Sequence, residues 1–69
     1  MINLGLRILK LFDFCYRNNL HCGVCWYENE FHVTINGKDG NIYCYGQALK
    51  LTDALNLCCN DLNKAGWNN

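Results

Sequence analysis

The sequence predicts an α+β domain of helix, three antiparallel strands and helix, and three observations carry that prediction. Apolar residues recur at helical spacing in the first segment and again in the last. Between them the period changes to strict alternation, clearest at Phe31, Val33 and Ile35 against His32, Thr34 and Asn36. Clusters of Asn, Asp and Gly punctuate the changes of period, where tight turns need residues that tolerate positive φ.

In the first segment, Leu4, Ile8, Leu11 and Cys15 form an apolar stripe that Leu9, Phe12 and Tyr16 are expected to widen. Arg7, Lys10, Asp13 and Arg17 take the other side, and Asn18-Asn19 supply the stop. Met1 to Tyr16 is rich in Leu, Ile and Phe, yet a charge interrupts it every third residue and no small-residue cleavage site follows. The segment therefore reads as a core-facing helix, neither a signal peptide nor the ~20 apolar residues of a membrane span.

His21 to Glu28 is rich in Val, Trp, Tyr and Cys and reads as the first strand, turned back by Glu28-Asn29-Glu30. The alternating run is the second strand, and Asn36 to Asn41, with two glycines and three Asx residues, is the next turn. Asn41 to Gly46 follows as the third strand. The last helix is expected to take Thr52 as its N-cap, with Asp53 favourable to its dipole, although Leu51 also fits a start as early as Ala48. Leu55, Cys58, Cys59 and Leu62 form its stripe, and Gly66 ends it.

Two amphipathic helices supply the cover that a three-stranded sheet needs on at least one face. Phe31, Val33, Ile35, Ile42 and Cys44 are expected to face them. The opposite sheet face then carries His32, Thr34, Tyr43 and Tyr45, joined by Trp26 or Tyr27 according to register. Either that face is open, or one helix covers it and its aromatics are ordinary core.

Composition narrows the function. A chain of 69 residues is one domain, spanning 1–69, and buries only about 60% of its unfolded surface. Six Lys/Arg balance six Asp/Glu, so no basic surface is available for general nucleic-acid or acidic-membrane binding, and neutrality protects little against self-association. Without a targeting segment, the expected location is a reducing cytoplasm, where the six cysteines are free thiols.

Those cysteines mostly fall where a small core hydrophobe belongs, Cys15, Cys44 and Cys58 above all, with Cys59 at the core edge. Cys22-Gly23-Val24-Cys25 is the one C-x-x-C. His21, Cys22, Cys25, His32 and Cys44 offer a ligand set for tetrahedral zinc, but no second ligand couple exists, and residues three apart in a strand point to opposite faces. Redox chemistry meets the same difficulty, because a reactive C-x-x-C needs a helix N-terminus to lower its thiol pKa.

Catalytic constellations are thin. The chain has no serine, a cysteine nucleophile needs His21 or His32 as base, and neither phosphate-loop glycine pattern occurs. The chain is therefore read as not an enzyme and as needing no cofactor.

The order αβββα resembles that of double-stranded RNA-binding domains, which grip phosphates with a basic cluster at the start of the final helix. Here Lys50-Leu51-Thr52-Asp53 holds a single lysine, which argues against nucleic acid as the partner. Leu51-Thr52-Asp53-Ala54-Leu55-Asn56-Leu57-Cys58-Cys59-Asn60-Asp61-Leu62, after a leading helix and three strands, resembles the small αβ sandwich proteins of bacteriophage and mobile-element accessory regions. That resemblance implies a small cytoplasmic factor, of the kind that includes inhibitors of host defence such as anti-CRISPR proteins, acting by masking a surface or sequestering a ligand.

The expected function is a non-enzymatic binding protein that inhibits a host protein and self-associates as a homodimer or larger assembly. Trp26, Tyr27, His32, Tyr43 and Tyr45 are its expected contact residues, since Trp and Tyr dominate interface hot spots. The alternatives are a sponge for a nucleotide signal, with the same aromatics stacking a base and Lys38, Lys50 or Arg17 meeting phosphate, and a small zinc module.

Overall fold

The structure, a computed structural model, describes residues 3–67. Its elements run α1 (Leu4–Arg17), β1 (His21–Tyr27), β2 (Glu30–Asn36), β3 (Ile42–Ala48) and α2 (Leu51–Lys64). The strands form one antiparallel sheet in the order β1-β2-β3. The α+β class and the helix, three strands, helix order are those the sequence predicts.

Local chemistry explains each boundary. The Asn3 side chain accepts from the Leu6 amide at 2.8 Å, giving α1 its N-cap. Asn19 adopts φ 57° just after the helix, and the Leu20 amide reaches back to the Cys15 carbonyl at 2.8 Å. Glu28 and Asn29, at φ 52° and 65°, form the two-residue loop of the first hairpin, the geometry whose twist matches the flanking strands. In the second turn Asp39 accepts from the Asn41 backbone and side-chain amides, and Gly40 supplies φ 84°. α2 begins at Leu51 with Lys50 as N-cap and no side-chain cap hydrogen bond, so the expected Thr52 cap lies two residues too late, inside the helix. Gly66, at φ 92°, follows the helix end as expected.

Both helices lie on the same sheet face. The core joins Leu11, Phe14 and Cys15 of α1 to Val33 and Ile35 of β2, Cys44 of β3, and Ala54, Leu55, Cys58 and Leu62 of α2, with Leu20 beside them. α2 packs closely on β3 because Gly46 removes a side chain where the two backbones meet. α1 leans over β1, held to α2 by an Arg7–Asn56 hydrogen bond and to the segment that follows α2 by the edge-on contact of Phe14 with Trp67 at 6.0 Å.

Two packing expectations are corrected. Leu9, Phe12 and Tyr16 do not widen the core stripe of α1: Tyr16 is 84% exposed, and Phe14 takes the buried place instead. The helix turns its Leu11–Phe14–Cys15 side to the sheet, which rotates the other apolar stripe outward. Ile42, expected in the core, is 59% exposed. A bulge between Ile35 and Asn36 pairs Asn36 with Ile42 and Ile35 with Cys44, and the irregularity releases Ile42 from the buried face.

Candidate functional site

The other sheet face is open. With both helices on one side, the side chains of Cys25, Tyr27, Glu30, His32, Thr34, Tyr45 and Gln47 stand on a surface that neither helix covers. The register selects Tyr27, and not Trp26, as the β1 aromatic on this face. Because both helices pack on the opposite face, neither makes these aromatics core.

A chain of hydrogen bonds crosses the face. His32 Nε2 meets the Tyr27 carbonyl at 3.1 Å, and His32 Nδ1 meets the Tyr45 hydroxyl at 2.5 Å. The Tyr45 hydroxyl donates to Gln47 Oε1 at 3.0 Å, and Gln47 Nε2 donates to Glu30 Oε1 at 2.9 Å. The polarity follows from the two ends. Gln47 spends its amino group on the Glu30 carboxylate, so its oxygen receives the Tyr45 proton, and the phenol oxygen then accepts from His32 Nδ1. Nε2 faces the Tyr27 carbonyl, so both ring nitrogens of His32 are engaged and the ring is held from two sides. The tilted rings of Tyr27 and Tyr45 flank the imidazole, with centroids 6.1 and 5.9 Å away.

The five expected contact residues thus divide. Tyr27, His32 and Tyr45 form one connected group. Tyr43 stands at the loop end of β3, its ring filling the space that a Cβ on Gly37 would need. Trp26 lies on the helix-covered side, where it pairs with Phe31 in the ladder and meets its ring edge-on at 4.7 Å, while remaining 57% exposed.

Gln47 and Glu30 belong to the group but were not singled out from sequence. The available signal was Tyr45-Gly46-Gln47: residues two apart in a strand share a face. Asp61 was also missed; its carboxylate accepts from the Tyr45 amide at 3.3 Å and ties α2 to the edge of β3.

The cysteines follow the strand geometry. Cys22 points to the helix side and Cys25 to the open face, so the two thiols of the C-x-x-C do not converge. Cys22 instead meets Cys15 of α1, and burial followed by that neighbour pushes its thiol up to about 12. Burial likewise raises Cys58 to about 12 and raises Cys15 and Cys44. All of these favour the neutral thiol over the nucleophilic thiolate. Among the described residues no group of three or more His, Cys, Asp and Glu is placed to hold a metal ion.

Of the cations offered for phosphate, Arg17 is engaged by Asp13 at 2.9 Å on the exposed side of α1. Lys38 sits in the β2–β3 turn and Lys50 at the start of α2, so neither belongs to the hydrogen-bonded chain on the open face. No helix among the described residues is long and apolar enough to cross a membrane. No protein-family model, curated protein or solved structure matches this chain.

Proposed function

We propose that the chain is a non-enzymatic binding protein, a phage or mobile-element accessory factor that inhibits a host defence protein by covering part of its surface. The observation that carries the reading is the open sheet face with Tyr27, His32 and Tyr45 held in one hydrogen-bonded group. Aromatic rings fixed by neighbours give contact area at low entropic cost, which is what an interface anchor requires. Neutral net charge fits a partner recognised by shape and hydrogen bonding more than by long-range steering.

The test is a tagged pull-down from bacterial lysate run in parallel with wild-type protein, Tyr27→Ala and Tyr45→Ala. The expected result is a stoichiometric host protein that wild type retains and both variants lose, with the circular dichroism of all three alike. Equal capture by folded variants, or release of a bound nucleotide in place of a protein on heat denaturation, sinks the reading.

A further inference from the structure

The two edges of the sheet are treated differently. On the β3 edge, α2 packs alongside and Asp61 takes up the Tyr45 amide. Among the described residues the β1 edge has no such cover. Its sequence, His21-Cys22-Gly23-Val24-Cys25-Trp26-Tyr27, contains no Lys, Arg, Asp, Glu or Pro, the residues that ordinarily blunt an exposed edge.

The hairpin fixes which main-chain groups are free. A two-residue loop makes Tyr27 and Glu30 the closing hydrogen-bonded pair, so His21, Gly23, Cys25 and Tyr27 direct their N–H and C=O groups to β2. By alternation, Cys22, Val24 and Trp26 direct theirs outward. Their side chains lie on the helix-covered side, beside the outward stripe of α1. There Phe12, Tyr16, Leu20, His21 and Cys22, with Cys15 beneath, line a groove of about 210 Å³.

We propose that a second copy of the chain pairs its β1 antiparallel with this edge about a two-fold axis at Val24, joining the two sheets into one of six strands. The pairing sets Val24 against Val24 of the second copy and Cys22 against its Trp26, and the reciprocal contact follows from the symmetry. Three such pairs satisfy the outward N–H and C=O groups of both copies. Residues directly opposite share a face, so Trp26 of the second copy falls next to Cys22, at the groove between Phe12 and Tyr16.

Exposed apolar area lies where the pairing would cover it. Trp26, Phe12 and Tyr16 are 57%, 40% and 84% exposed, which at ~150–250 Å² per aromatic is roughly 270–450 Å². A standard interface buries ~800 Å² per partner, so these rings supply about a third to a half of it, and Leu9, 65% exposed, and the edge main chain add to them. Neutral net charge offers little repulsion between copies. The open face of Tyr27, His32 and Tyr45 stays free on the other side of the joined sheet, so this inference stands independently of the proposed host contact.

Sedimentation equilibrium of the whole chain at micromolar concentration tests it, together with Tyr16→Lys and Trp26→Lys, both exposed enough to keep the fold. The expected result is a mass of two 8.0 kDa chains for wild type, with each variant weakening association at least about tenfold at unchanged circular dichroism. Amide exchange reads the register: Cys22, Val24 and Trp26 should exchange more slowly as concentration rises, while Gly23 and Cys25, already bonded to β2, do not change. A wild-type monomer overturns the proposal, including the case in which a strand from another protein takes the edge. So does a dimer that both variants preserve, or one that leaves those three amides unprotected.

Discussion

Gly46 of β3 and Ala54 of α2 are packed so closely that a Cβ on Gly46 would overlap the Ala54 carbonyl oxygen and lie 2.7 Å from the Cys58 amide nitrogen. Both obstacles are helix backbone, which has no rotamer to yield. Gly46→Ala must therefore push α2 away from the sheet and break the contact between Cys44 and Cys58, or fail to fold. Overpacking of this kind costs about 3 kcal/mol or more. A domain of this size has roughly 3–10 kcal/mol in all, so a urea melt of Gly46→Ala should show the midpoint lowered by a large part of its range or no cooperative transition. A midpoint within error of wild type would mean that the helix does not sit this close.

The hydrogen-bonded chain on the open face makes a smaller prediction. Tyr45→Phe keeps the ring and deletes the hydroxyl that joins His32 to Gln47, leaving partly solvated partners that water can serve. The expected loss of stability is about 1 kcal/mol. The sharper readout is motional: without the hydroxyl, the His32 ring should lose its fixed orientation, seen as averaged ring proton shifts and weakened contacts to Tyr27. Retention of those contacts in Tyr45→Phe would show that the chain does not position the ring.

Thiol reactivity should follow the faces of the sheet. Cys25 is exposed on the open face, whereas Cys15, Cys44 and Cys58 are buried. With a chromogenic disulfide under native conditions, the fastest thiol should be Cys25, and Cys25→Ser should remove that phase while the buried thiols wait for unfolding. If the fast phase survives Cys25→Ser, the assignment of faces along β1 is wrong.

The same thiols couple stability to alkaline pH. Cys22 and Cys58 are raised from 9.0 to about 12 in the folded state, chiefly by burial. A raised folded value means that the unfolded chain loses its thiol protons first. The stabilisation is therefore full below pH 9.0 and declines as pH rises toward about 12. Thermal melts under reducing conditions should fall across that window, and Cys58→Ala, which starts lower, should fall less steeply. Parallel slopes for the two proteins would remove Cys58 from the linkage.

What could be read from sequence was whatever period alone controls. Val33, Ile35, Cys44, Leu55, Cys58 and Leu62 were placed in the core from alternation or helical spacing, and all are buried. Where two apolar stripes compete on one helix, period gives no preference: Leu9, Phe12 and Tyr16 fit as well as Leu11 and Cys15, and the sheet chose the latter. Ile42 was misplaced because a bulge moves one residue out of phase and leaves no mark on the alternation itself. The grouping of Tyr27, His32 and Tyr45 needed strand register, which neighbouring residues do not encode. Gln47 and Glu30 needed the same register one step further along the face.

The tight β3–α2 contact also orders assembly in time. Gly46 and Ala54 are separated by few residues, so closing that loop costs little entropy, and the β3–α2 unit is positioned to nucleate folding. α1 is the opposite case. It leaves a ribosome before the segments carrying Leu55, Leu62 and Trp67, which complete the core around it. During synthesis both of its apolar stripes face water, and only one is ever covered within the chain itself. α1 therefore keeps more uncovered apolar surface than the rest of the chain until α2 has folded against the sheet.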